Sequence, residues 1–162
     1  FVFPICICNF TTKLKTINNM YEPYTKQSLP SKEYRELLGS AICVFNSNNN
    51  FIIENILRSD VTSKYNWYDL IDSTSGQLTF PIKETITKES DGTIEQLFKE
   101  IVDQRNRILH SFQITENATD NEQILATKNK SNEQFVITKE YLMDFIEKND
   151  KLSTMLHKFR GF

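Results

Sequence analysis

Ile94, Leu97, Phe98, Ile101, Ile108 and Phe112 recur at helical spacing and draw one apolar stripe between Thr93 and Phe112. Such a stripe needs a partner surface, so this segment must pack against other elements of the chain or a second copy of it. Gly92 breaks the chain just ahead, and Asp91 or Thr93 can cap the first turn. At roughly 100° per residue, Arg105 falls near the middle of the same stripe. An unpaired buried charge costs on the order of 3 to 5 kcal/mol. Arg105 therefore needs a buried carboxylate or a wet cleft between subunits. Asn48 or Asn55 can offer it a hydrogen bond from another helix, although a surface position is the simpler expectation for both.

The segment Arg105-Asn106-Arg107-Ile108-Leu109-His110 places an arginine, an amide and one of the chain's 2 histidines on that predicted helix. Asn106 and His110 are four apart and share a face, with Lys99 and Asp103 close to it. On an ideal helix His110 stands about 140° around the axis from Arg105. A site using both needs the long arginine side chain to reach around, or a second copy of the helix. Cleavage of RNA through the neighbouring 2′-hydroxyl requires proton transfer and stabilisation of a crowded anionic phosphorus centre. A histidine suits the first task near neutral pH, and arginine hydrogen bonds suit the second, without a metal. The candidate catalytic residues are Arg105, His110 and Asn106, with Arg107 and Lys99 binding substrate. Asp103 is a candidate support that pairs with His110 across a dimer. The competing reading makes Arg105 a salt-bridged structural residue and His110 a chance neighbour.

Arg105, Asn106, the three residues Arg107-Ile108-Leu109 and His110 together resemble the signature of the HEPN superfamily (higher eukaryotes and prokaryotes nucleotide-binding domains). That signature is Arg, a polar residue that is often Asn, three to five further residues, then His. The apolar segment Tyr34–Leu57, with Leu38-Gly39-Ser40-Ala41-Ile42 and Phe51-Ile52-Ile53-Glu54-Asn55-Ile56-Leu57, is similar to the first long helix of such domains, so the resemblance covers residues 31–112. It implies a helical bundle that forms a homodimer by bringing two motif helices together. It also implies an endoribonuclease that leaves 2′,3′-cyclic phosphate ends and acts as a toxin or antiviral defence effector. An antitoxin or a sensor would be a further partner. In that setting Arg105 stabilises phosphate charge, His110 activates the 2′-hydroxyl or protonates the leaving oxygen, and Asn106 orients the histidine or the phosphate. Some members are non-catalytic nucleotide, RNA or protein binders. One branch carries a modifiable Tyr two residues after the histidine, where this chain has Phe112.

Composition limits the remaining choices. With 162 residues, the chain is long enough for one domain with a substantial core, and 39% hydrophobic content argues against disorder. Only 4 Gly and 4 Pro favour helices over a turn-rich β fold, and 12 Phe suit a core and a dimer interface. The net charge of −2 excludes bulk polyanion binding, so RNA contact must be local; Lys99, Arg105, Arg107 and Lys158 are candidates for a small positive patch. Cys6, Cys8 and Cys43 follow no disulfide framework and suggest reduced thiols in a cytoplasmic protein. Cys6-Ile7-Cys8 lacks a second pair for zinc. No metal or other cofactor is expected. No apolar run reaches the roughly 18 residues of a membrane span, and Phe1–Cys8 lacks the basic leader of a signal peptide.

The expected fold class is mainly α, a HEPN-like helical bundle with a small β-hairpin before the C-terminal helix. Residues 1–30 read as an N-terminal arm, extended over Phe1–Phe10, and residues 31–162 as the helical domain. Ser31 caps a helix that runs to about Arg58, because the apolar pattern resumes in phase after the turn-favouring run Asn46-Ser47-Asn48-Asn49-Asn50. Short helices are expected around Trp67–Ile71 and within Leu78–Thr87, and a polar loop over Thr115–Glu122. Gln123–Thr127 and Gln134–Thr138 form the hairpin, and Thr138 caps a last helix ending near Gly161. Tyr34, Tyr65, Trp67 and Tyr68 are candidates to stack on a base, although most such aromatics serve a core.

Overall fold

The structure, a computed structural model, describes residues 22–116 and 122–162. The arm expected over Phe1–Phe10, with Cys6 and Cys8, lies outside the described residues. In chain order come α1 (Lys32–Ser59), α2 (Trp67–Asp72), a 3-10 turn (Ser75–Leu78), α3 (Thr79–Glu84) and α4 (Ile86–Glu89). Then follow α5 (Thr93–Leu109), β1 (Phe112–Glu116), β2 (Glu122–Lys128), β3 (Gln134–Ile137) and α6 (Lys139–Phe159). The fold is mainly helical with one small antiparallel sheet in the order β1-β2-β3. No helix among the described residues is long and apolar enough to cross a membrane.

Helix α1 starts where the Ser31 hydroxyl accepts the Tyr34 N–H at 3.3 Å. It continues through the Asn-rich run because Asn48 turns inward. Asn48 Nδ2 donates to Asn149 O at 2.7 Å and Oδ1 at 3.1 Å on α6, while Asn149 Nδ2 donates to Phe145 O at 2.8 Å. These bonds keep the side chain from competing for the local backbone. The same contacts set direction. Glu33 pairs with Lys139 near the starts of α1 and α6, and Arg160 reaches Glu54 and Asn55 near their ends, so the two helices run parallel. Helix α5 runs the other way. Gln104 Nε2 on α5 donates to Asp144 Oδ2 near the start of α6 at 2.8 Å, while Gln96 and Leu97 share a hollow with Lys151 and Met155.

The core lies between these three helices. Phe45 and Ile52 of α1, Phe98 and Ile101 of α5, and Phe145 and Leu152 of α6 are all at most 2% exposed. Burying each such side chain stabilises the fold by about 1.5 to 3 kcal/mol. Helices α3 and α4 occupy the segment read from sequence as one helix. The break falls at Thr85 (φ −119°, ψ −85°), whose hydroxyl donates to Pro81 O at 2.7 Å.

The hairpin β2–β3 and its position before α6 follow the sequence pattern. Strand β1 does not. Phe112 fits the helical stripe by spacing, yet it opens β1 opposite Ala126 and is 44% exposed. Phe112-Gln113-Ile114-Thr115-Glu116 alternates with period two, a strand pattern hidden by the helical phase of its first residue. The polar loop expected from Thr115 to Glu122 thus contributes its first two residues to β1 and its last to β2.

Candidate functional site

Helix α5 positions the motif. Gly92 precedes it at φ 79°, a left-handed geometry that glycine adopts without steric cost. Asp91 Oδ1 then accepts the Thr93 N–H at 3.1 Å and hydroxyl at 2.6 Å. Ile94, Leu97, Phe98, Ile101, Val102 and Ile108 form the buried face.

Arg105 lies on that face and is half-buried. Its guanidinium carbon stands 5.2 Å from the ring centre of Phe45 on α1. Its Nη1 donates to Asn106 Oδ1 at 3.1 Å. Among the described residues no carboxylate lies within ion-pair distance of it. Asn48 and Asn55 do not serve it either, and neither is on the surface. Both are buried: Asn48 is bonded to Asn149, and Asn55 accepts from Arg160 Nε at 3.0 Å.

His110 stands one position beyond the end of α5, where the backbone leaves helical geometry (φ −97°, ψ 26°). Sequence spacing had extended the helix through it. Its N–H still closes the last turn on Asn106 O at 3.0 Å, and the residue is exposed. Within this chain Asp103 pairs with Lys130 Nζ at 3.3 Å rather than with His110. Lys99 is exposed about three turns before His110. Arg107 Nη1 donates to Lys128 O at 2.6 Å, which ties α5 to the hairpin. The expected four-residue positive patch does not assemble. Arg105 lies level with the start of α6, and Lys158 is near its end, about 20 Å away at 1.5 Å per residue.

Beside the motif, α5, the β2–β3 turn and the start of α6 border a broad hollow of about 480 Å³ that is open to solvent. Asp103, Gln104 and Arg107 form one wall, Asn129, Lys130 and Ser131 the turn, and Phe135 and Tyr141 the floor. The two rings lie 5.7 Å apart at 50°. Burial pushes the Tyr141 hydroxyl above the usual phenol pKa, while nearby Arg107 acts the other way. Lys148 and Gln104 hold the Asp144 carboxyl below the usual range. Apart from Asp103 and Arg107, sequence reading gave none of these residues a role in a site. The short apolar, β-branched run Gln134-Phe135-Val136-Ile137 signals a strand, but not that its aromatic residue meets the first turn of α6.

The aromatic residues expected as stacking candidates lie elsewhere. The Tyr34 hydroxyl donates to Ile137 O at 2.7 Å and is buried, and the Tyr65 hydroxyl is engaged by Glu84. Trp67 and Tyr68 are exposed on α2, which packs on α1. No family model, no curated protein and no solved structure matches this chain.

Proposed function

We propose that this chain is a HEPN-type, metal-independent endoribonuclease acting through a composite site at a homodimer interface. The observation that carries the reading is Arg105: a half-buried guanidinium on an apolar face, with a ring beneath it, one amide beside it and no acid among the described residues. Its remaining donors suit the anionic oxygens of a phosphodiester. Asn106 accepts from the guanidinium and orients it, a different role from the expected one of orienting the histidine or the phosphate. His110, exposed at the helix end, moves the proton. Because Arg105 and His110 leave α5 on different sides, a second α5 best completes the site. A role as toxin or antiviral effector, controlled by an antitoxin or a sensor, extends the same reading.

Incubating the chain with single-stranded and hairpin RNA in excess chelator tests this. Cleavage with 2′,3′-cyclic phosphate ends is expected, slowed about a hundredfold or more by Arg105→Ala or His110→Ala. Native-rate cutting by folded forms of both variants would overturn it.

A second reading, a non-catalytic HEPN-type module that binds RNA, a nucleotide or a protein, draws on a different observation. His110 has no hydrogen bond or ion pair through its ring among the described residues, and Asp103 is committed to Lys130. Binding without cleavage, insensitive to His110→Ala, would favour it.

A further inference from the structure

We infer that the hollow between α5, the β2–β3 turn and the start of α6 is a nucleotide subsite that holds one base and one phosphate of single-stranded RNA. The inference rests on the RNA reading above and assigns residues that the motif does not contain. The hollow is open along one side, as a site for a segment of a longer strand must be, and its volume of about 480 Å³ has room for one nucleotide. Phe135 and Tyr141 are half-buried rings that present apolar surface to it, and every base has a π-face to lay against such surface. Arg107 and Lys130 stand on its walls. Arg107 is steadied by Nη1 on Lys128 O, which leaves further donors of the same fork for phosphate oxygens.

The turn that carries Lys130 is already folded. Asn129 Oδ1 accepts from the backbone N–H groups of Ser131 and Glu133, at 2.9 Å and 3.0 Å, and from the Ser131 hydroxyl at 2.7 Å. Its backbone therefore needs little further ordering on binding, and the remaining cost is that of immobilising the Lys130 side chain. Gln104 Nε2 donates to Asp144 Oδ2 at 2.8 Å, and its buried Oε1 meets no donor among the described residues. A base amino group would satisfy that acceptor after a small shift of the side chain. Position links the hollow to the motif. His110 follows Arg107 by three residues, about 4.5 Å along the axis, so a strand seated here carries its next phosphodiester past His110.

Asp103 makes the inference testable by gain as well as loss. It holds Lys130 at 3.3 Å, and both side chains are exposed, so an incoming phosphate competes with it. Titrating the isotope-labelled full chain with AMP, UMP, adenosine alone, inorganic phosphate alone and a 2′-O-methyl RNA oligonucleotide tests it by NMR. Amide shifts are expected at 129–131, 135 and 141 with the nucleotides and the oligonucleotide, and weaker ones with adenosine or phosphate. Tyr141→Leu with Lys130→Glu should weaken AMP binding about tenfold or more, and Asp103→Asn should tighten it several-fold. Shifts confined to other residues, or unchanged affinity in Asp103→Asn and in a folded Lys130→Glu variant, would overturn the subsite. So would shifts there with an acidic aromatic peptide but not with nucleotides. The two readings fail separately. A chain that binds AMP in the hollow but cuts no RNA loses only the nuclease. One that cuts through His110 with no change in KM in the hollow variants loses only the subsite.

Discussion

Two stations along α1 carry matching side chains and settle their charge in opposite ways. At the first, Arg160 lies 4.3 Å over the Phe51 ring and donates to Asn55 Oδ1 at 3.0 Å and Glu54 Oε2 at 2.9 Å. His157 packs on the same ring, with centroids 4.7 Å apart. At the second, Arg105 lies 5.2 Å over Phe45 and donates to Asn106, with no acid among the described residues, and His110 is exposed. Each station thus has an arginine, an amide, a phenylalanine of α1 and one of the chain's 2 histidines. A cation over a ring gains about 0.5 to 2 kcal/mol, too little to offset the desolvation of an unpaired guanidinium. The first station is complete and reads as structure. The second has donors with no partner among the described residues, which is how the proposed anion site differs from a station that only holds helices together.

The largest expected effect is catalytic. His110→Ala should slow RNA cleavage about a hundredfold or more, whereas His157→Ala should keep the rate and lower only the melting temperature. Parallel cleavage and melting assays decide it. Equal loss of activity in both variants would break the comparison.

Stability should divide the arginines in the opposite sense. Arg160→Met removes two hydrogen bonds, one of them to a carboxylate, and should cost about 2 kcal/mol in urea unfolding. Arg105→Met replaces an acid-free cation on an apolar stripe with a side chain suited to it. The expected result is no loss, or a gain of up to about 1 kcal/mol. A loss at Arg105 as large as that at Arg160 would mean that its charge is already compensated.

Inorganic phosphate sharpens the contrast with a smaller effect. At about ten times its Kd, a ligand bound only to the folded chain stabilises it by about 1.4 kcal/mol. For a chain of this size that is a rise of roughly 3 to 5 °C in melting temperature. The rise should shrink in Arg105→Met and persist in Arg160→Met. Persistence in both variants would place the anion elsewhere, and Arg107→Gln would then test the neighbouring hollow.

The sequence carried the helices well because their signals are periodic and local. Ser31 and Thr138 cap where side-chain oxygen, chain direction and apolar phase agree. Arg105 was legible as an anomaly because the stripe around it is dense, and the structure leaves it half-buried there. What escaped depends on contacts between distant segments. Asn48 looked like a turn residue, and only its partner Asn149, 101 positions away, makes it a buried one. Phe112 obeyed two periods at once, and pairing with β2 chose the strand. The hollow could not be read at all, because Asp103, Lys130 and Tyr141 come from three elements that meet only through the fold.

The smallest effect concerns pH at the seam beside the second station. The Asp144 carboxyl is held below its usual pKa first by Lys148 and then by Gln104, which immediately precedes Arg105. A depressed carboxylate contributes stability that is present above its unfolded pKa, about 4, and lost as pH falls through the lowered folded value. Stability should therefore hold from neutrality down to about pH 5 and fall only below that. Gln104→Leu removes one of the two donors. It should move the Asp144 titration upward, measurable from the carboxyl resonance, and start the acid loss at a higher pH with little change at pH 7. Arg105→Met should leave that titration in place, because the carboxyl is held by Lys148 and Gln104, whereas the guanidinium contacts Phe45 and Asn106. A shift of Asp144 in Arg105→Met would reveal a long-range charge coupling between motif and seam, and the second station would then be partly neutralised after all.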